Sequence, residues 1–303
     1  MANDKRVKQS GMNSISFAGN ITLNITFSIY AIVCIFPLLL VLAVSLSDEA
    51  DIVDYRYRII PKSISLISYQ FILSSGDKIL SAYGYTIVST IAGTILALLI
   101  TSSLAYPLSR RSFKYRNKFA FYVYFTMLFN GGMVPLYIVY TQIIPLKNSI
   151  YALIIPNLVS GFYVLLMRTY FSQNISDSIV ESAEIDGAST FRIFFTMVLP
   201  LAKPVLATVG LFTAMGYWNN YFRNLLFVYD DRVMNLQYLL FRMQSEIEVM
   251  NTDPQLIVEL GKYIPQETSR MAMVILTIGP IIFLYPFLQR YFIKGLTIGS
   301  VKG

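Results

Sequence analysis

Six long stretches of this 303-residue chain carry no charged residue: Ile21–Leu46, Ile79–Ser109, Phe119–Leu146, Asn148–Met167, Pro204–Phe222 and Met271–Gln289. Each reaches the ~19-residue window of a helix that crosses a bilayer. Hydrocarbon offers backbone N–H and C=O groups no water, so a crossing segment has to satisfy them itself, as a helix does. The competing reading is a soluble protein with buried helices, but soluble helices seldom run past about 20 residues without a charge. Composition agrees with the membrane reading: 55% of residues are hydrophobic and 14% charged, against about 25% charged in soluble domains. This leaves no room for a sizeable soluble domain. The first run is too long for a cleaved signal peptide, lacks a small-residue cleavage site, and leads into an acidic loop.

The expected fold class is therefore all-α, a polytopic membrane protein with six transmembrane helices. The helices are expected near 21–46, 79–109, 119–141, 148–171, 201–227 and 270–292, with a short tail at 1–20 and another at 293–303. Loops at 47–78 and 228–269 share one side. With both tails on the other side, that side holds 14 of the 24 basic residues and five acids, a net charge of +9, while the opposite side nets −2. The densest basic cluster, Arg110 to Lys118, lies in a short loop, where the positive-inside rule applies best. Both termini are accordingly expected in the cytoplasm, and topology accounts for the overall charge of +7 without any nucleic-acid partner.

Two absences narrow the chemistry. Cys34 is the single cysteine, so no internal disulfide can form, and there is no histidine. Histidine-based catalysis and most zinc sites are thereby excluded. Within the third run, Asn130-Gly131-Gly132 followed by Pro135 predicts a kinked or unwound helix. Broken backbone at that depth is tolerated only where it faces protein or a water-filled cavity.

Residues 172–200 differ from the spans around them, with four acids and Gly187 on the cytoplasmic side. Ser176 can cap a short helix with Asp177 at its positive end. Ile179 and Ala183 share a face, and Glu181 and Glu184 lie together. Gly187 can end the helix in the left-handed conformation. Ser189 can cap a second helix whose apolar side is Phe191, Phe194, Phe195 and Val198, and Pro200 closes the unit. Such a unit fits either a groove on a partner or the membrane surface, and spacing does not choose between them.

The residues Glu181-Ser182-Ala183, Asp186-Gly187-Ala188 and Leu199-Pro200 resemble the EAA loop of binding-protein-dependent ABC importer permeases, with Ser182 where the motif has its first alanine. Pro37 to Leu40 with Ser45-Leu46-Ser47, Trp218-Asn219-Asn220, and the ending Lys294-Gly295-Leu296-Thr297-Ile298-Gly299-Ser300-Val301-Lys302-Gly303 resemble the MalG group of carbohydrate permeases. Asn130-Gly131-Gly132-Met133-Val134-Pro135 is similar to its LplC-type branch. The likeness covers nearly the whole chain.

The resemblance implies a type I importer permease fold in a bacterial cytoplasmic membrane. Residues 176–200 would be a coupling loop in a cleft of a cytoplasmic ATPase, Glu181 pairing with a basic residue and Ser182, Ala183, Asp186, Gly187, Ala188 and Pro200 shaping the fit. Gly295, Gly299 and Lys302 would reach the ATPase dimer. The implied partners are a second homologous permease, two ATPase subunits, an extracellular lipoprotein that binds solute, and membrane lipid. ATP and Mg would sit on the ATPase, since no G-x-x-x-x-G-K-[ST] phosphate cradle occurs here. The chain is thus expected to be a transport subunit and not an enzyme.

The implied cargo is a sugar or oligosaccharide. Tyr217, Trp218, Asn219 and Asn220 offer stacking faces and amides about 21 Å along a helix from Pro204, in the outer half of the membrane. An interfacial aromatic belt would also use Tyr217 and Trp218, and interhelical hydrogen bonds would also use the amides. Asn130 is a further, weaker path candidate, and packing explains it and Asn157 better. A peptide or amphiphile could replace the sugar. A secondary transporter would usually bury acids or histidines in its spans, and a membrane enzyme would need a constellation of acids, histidines or a nucleophile that this chain lacks.

Overall fold

In a computed structural model, which describes residues 17–74, 76–252 and 265–282, the long elements are all helices. α1 (Phe17–Ser45) leads through two short helices, α2 (Glu49–Tyr55) and α3 (Ile67–Leu73), to α4 (Gly76–Ser109). α1 and α4 are long and apolar enough to cross a bilayer unbroken. Pro37 and Pro107 interrupt neither. An antiparallel bridge, Ser47 to Ile64, ties the α1–α3 connection.

The next three expected crossings are each broken. α5 (Arg116–Leu128) and α6 (Met133–Ile138), which runs into a π-helical turn at Val139–Ile143, meet at 109°. The bend falls at the glycine pair, as the sequence predicts. Gly132 has φ +85°, a conformation that L side chains adopt only at a cost. α7 (Ile150–Ile154) ends in a tight turn at Ile155–Asn157 and meets α8 (Gly161–Asn174) at 51°, so the helix expected over 148–171 is not continuous. Pro156 lacks the N–H that would carry an α-helical ladder through this point.

α9 (Asp177–Ile185) and α10 (Thr190–Ile193) follow, then a π-helical turn at Phe194–Val198 and the single turn α11 (Leu199–Leu201). The Thr190–Leu201 stretch meets α12 (Lys203–Trp218) at 81°. The helix expected over 201–227 is also two pieces, because the chain leaves helical geometry at Asn219 and resumes in α13 (Phe222–Phe227). Beyond α13 come a short turn at Asp231–Val233, α14 (Leu236–Thr252) and a last helix, α15, over 267–282. The sixth expected crossing, 270–292, runs past the described residues; among those described, α1 and α4 are long and apolar enough to cross alone, and three bent helix pairs would be so if each pair acted as one span.

α4 is the hub, packing along α12 and α8. Its contact face is made of small residues, Gly93, Ala97, Thr101, Ser102 and Ala105, which let neighbouring backbones come close in a medium where the hydrophobic effect gives helices no reason to associate. At Gly93 the fit is tightest: a Cβ there would stand 2.5 Å from Cζ of Tyr217. Two apolar clusters mark the ends of the bundle. One joins the last turns of α4 to α8, α9 and α12; the other joins α3 and the first turns of α4 to α14 and α15.

Candidate functional site

The α9–α10 unit takes its shape from local signals. The Ser176 hydroxyl accepts from the Ser178 N–H (3.2 Å), and Ser189 caps α10 by accepting from the Arg192 N–H (3.3 Å). Gly187 between them has φ +80°. The Gly187 N–H donates to the Glu184 carbonyl and the Ala188 N–H to the Ala183 carbonyl, closing the end of α9.

Which faces are buried differs from the sequence reading. On α9, Val180 and Ala183 enter the cluster with α4 and α8, whereas Ile179 is exposed. In α10 and the turn after it, Phe194 and Val198 are buried but Phe191 and Phe195 are exposed. The π-helical turn at Phe194–Val198 widens the repeat beyond 3.6 residues, so a face drawn at α-helical spacing divides in two there. The outcome is a short helix anchored on one side, with a protruding apolar pair on the other: Ile185 is 86% exposed and Phe191 77%. Glu181 and Ser182 are exposed on the same unit.

An arginine from another part of the chain fixes this unit to the bundle. Arg110, just past α4, is buried. Its Nη1 donates to the Ile175 carbonyl (3.2 Å) and to Asp177 Oδ1 (3.1 Å), its Nη2 to the Phe171 carbonyl (2.9 Å), and its Nε to Ser109 Oγ (3.0 Å). Arg168 Nε and Ser172 Oγ donate in turn to the Leu108 and Ser109 carbonyls, satisfying the last turn of α4. Charge in the 110–118 loop is therefore structural at Arg110. A cleft of about 440 Å³ opens beside this junction, between Tyr106, Arg110 and Phe113 on one wall and Val180, Glu184 and Phe191 on the other.

Of the expected path residues, Tyr217 and Trp218 lie deeper in the bundle, while Asn130 and Asn219 are exposed. Tyr217 is 2% exposed and Trp218 5%. The Tyr217 hydroxyl donates to the Ile154 carbonyl (2.9 Å), and Trp218 Nε1 donates to the Thr277 carbonyl of α15 (3.2 Å). Both rings are packed inside the bundle and do not form a belt facing lipid. The amides serve broken backbone. Asn130 Oδ1 accepts from the Gly132 N–H (2.9 Å), and Asn220 Oδ1 accepts from the Arg223 N–H (3.2 Å) at the start of α13. Asn219 ends α12 and is exposed. Each amide stands where a span breaks and backbone groups lose their helical partners. Tyr217 to Asn220 are brought together at one end of α12, while Asn130 sits on a different break with no hydrogen bond to them.

A pocket of about 170 Å³ opens between α4, α8 and α12, lined by Thr101, Asn157, Ser160, Tyr163, Thr213 and Tyr217. Asn157 Oδ1 accepts from Nη2 of Arg223, which joins the break in the fourth crossing to the start of α13. The sequence reading set Asn157 aside and passed over Arg223. The available signal was an arginine directly after a charge-free run that closes on Asn219-Asn220-Tyr221-Phe222. Gly295, Gly299 and Lys302, the expected tail contacts, lie outside the described residues.

A helical bundle with broken crossings and a small-residue helix–glycine–helix fastened to one end is the architecture of an importer's membrane subunit. Residues 120–298 match the family of binding-protein-dependent transport system inner membrane components, and the chain belongs to that family.

Among its relatives is the polygalacturonan/rhamnogalacturonan transport system permease protein YtcP of Bacillus subtilis, 36% identical over 281 residues that cover 90% of this chain and 94% of that one. The protein LplC of the same organism is 36% identical over 273 residues, covering 89% and 90%. A crystal structure of a bacterial ABC transporter involved in the import of the acidic polysaccharide alginate contains a chain of the same fold, with TM-score 0.78 and 29% identity, covering 92% of this chain and 99% of that one.

Proposed function

We propose that this chain is one of two membrane subunits of an ATP-driven saccharide importer in a bacterial cytoplasmic membrane, forming half of the translocation path. It pairs with a second, similar permease and receives its cargo from an extracellular lipoprotein that binds the saccharide. Two ATPase subunits bind ATP and Mg and drive the cycle. The 110–118 and 176–200 end of the bundle faces the cytoplasm, and both tails lie on that side.

The observation that carries the coupling role is the anchored yet protruding α9–α10 unit. Val180 and Ala183 bury one side of α9, and Arg110 clamps its approach from three acceptors outside its own turn. Ile185 and Phe191 stand free beside the exposed carboxylate of Glu181. A rigid knob with an apolar tip and one charge suits a groove rimmed by a basic residue. Because the knob is tied to α4 and α8, displacement of the groove is passed to helices that reach the pocket at Asn157. The 81° turn into α12 gives a second rigid lever arm. The saccharide assignment rests on the permeases of known cargo that the chain resembles.

The test is reconstitution of this chain with its second permease, ATPase and binding protein in liposomes, followed by uptake of labelled oligosaccharides. Uptake is expected only with ATP and the binding protein. Glu181→Lys should abolish it while membrane insertion and assembly persist, and normal uptake by that variant would remove the docking role. Uptake of peptides in preference to saccharides would replace the cargo, not the machine.

A further inference from the structure

Among the described residues, Arg223 is a cation with no carboxylate beside it. One terminal nitrogen donates to Asn157 Oδ1, while the other, Nη1, is buried with no hydrogen-bond partner. Its titratable neighbours are the hydroxyls of Tyr140 and Tyr217. Among the described residues no carboxylate forms an ion pair with it. Three other arginines do meet carboxylates: Arg110 meets Asp177, Arg232 meets Asp230, and Arg242 meets Asp231 and Glu246. A guanidinium between broken crossings is costly, and charges at such places normally pair or line a path for a charged solute. With no carboxylate partner among the described residues, the site has room for an anion from outside the chain.

The surroundings suit a sugar acid. Asn157, which accepts from Arg223, also lines the pocket between α4, α8 and α12, so the guanidinium stands one hydrogen bond behind the pocket wall. The other lining polar groups, Thr101, Ser160, Tyr163 and Thr213, offer hydroxyls. The volume of about 170 Å³ is below the roughly 300–1,000 Å³ of sites that enclose a drug-sized ligand, which fits passage of a chain one ring at a time. Arginine presents a planar fork matched to a carboxylate.

We infer that this pocket is a transmembrane subsite for a carboxylate-bearing sugar unit, with Arg223 reading the carboxylate and the transported saccharide therefore a uronate oligomer. The inference rests on the saccharide reading and narrows it. Asn157 is the gatekeeper: it holds the guanidinium when the pocket is empty and yields it to the stronger, charged acceptor.

The test uses the complete importer, with trigalacturonate and its neutral methyl ester as probes. Binding to the detergent-solubilised assembly without the binding protein is measured by equilibrium dialysis, and uptake is measured in proteoliposomes. Wild type should prefer the acid. Arg223→Gln should weaken acid binding at least about tenfold and ester binding less than about twofold. Arg223→Lys should fall between, since an ammonium keeps the charge without the fork. Asn157→Asp, which supplies an internal carboxylate and leaves the arginine in place, should also remove the preference for acid. Equal loss for both probes, unchanged acid binding in Arg223→Gln or Asn157→Asp, or release of the second permease by Arg223→Gln would overturn the inference. A wild-type importer that carries a neutral saccharide but not the acid overturns it and leaves the saccharide reading standing; one that carries no saccharide overturns both.

Discussion

Replacing Arg110 by glutamine tests whether the protruding unit is mechanically tied to the bundle. The guanidinium side chain is 7% exposed and its partner Asp177 is 42% exposed. Three interactions beyond its own turn are lost. The Ile175 carbonyl is left without a donor in a buried position, a loss of about 2 kcal/mol. The Phe171 carbonyl keeps its helical donor, the Ile175 N–H at 3.1 Å, so the loss there is nearer ~1 kcal/mol. The half-exposed pair with Asp177 is screened by solvent and contributes at most about 1 kcal/mol. Together these amount to about 4 kcal/mol, close to a thousandfold shift toward the detached state of residues 171–186. The loss is local, because Val180 and Ala183 still have their apolar contacts. Hydrogen exchange on the reconstituted importer should show protection falling across 171–186 while α4 is unchanged, and uptake per ATP hydrolysed should drop. Asp177→Asn should lose only the screened pair, about a quarter of the effect. Unaltered protection of 171–186 in Arg110→Gln would show that apolar packing alone holds the unit, and the mechanical link would fail.

Further outcomes follow from other contacts. At Gly187, φ +80° with open space around the α-carbon makes backbone strain the sole penalty, so Gly187→Val should cost about 1–2 kcal/mol and Gly187→Asn less; uptake ranked in that order is expected, and equal losses would point to a steric cause. Gly93→Ala drives a methyl into the Tyr217 ring, which its bond to Ile154 holds in place; overpacking of about 1–3 kcal/mol should lower the thermal midpoint, and adding Tyr217→Leu should recover part of it. Asp231 accepts from Arg242 and lies near Lys78, and this hydrogen bond and these charges hold its carboxyl below the ordinary value of 3.8. A depressed carboxyl stabilises the fold above its unfolded pKa and loses that contribution as pH falls through the lower, folded value. The thermal midpoint should therefore decline below about pH 4 less steeply in Asp231→Asn than in wild type, and parallel declines would exclude this contact as a cause.

Local rules explain how much of the site is legible in order along the chain. The ends of α9 and α10 are written by Ser176, Gly187 and Ser189, since capping acts over three or four residues. The 109° bend is written by the glycine pair before Pro135. The breaks at Asn157 and Asn219 were less legible, because an asparagine within an apolar run serves equally a helix contact, a ligand or a broken ladder. Arg110 illustrates the limit: its acceptors lie 61 to 67 residues away, and no periodicity relates them.

By itself the sequence determined that the chain is helical and crosses a membrane, because uncharged runs of crossing length leave the backbone no other way to satisfy itself in lipid. It also determined where the short helix–glycine–helix begins and ends. The tertiary structure decided which faces of that unit point inward. It turned Ile185 and Phe191 out and Val180, Ala183 and Phe194 in. It buried Tyr217 and Trp218 against Gly93 and α15, and it left Arg223 with an asparagine in place of an acid. Burial and charge compensation are sums over neighbours distant in the chain, so the fold fixes them and the order of residues does not.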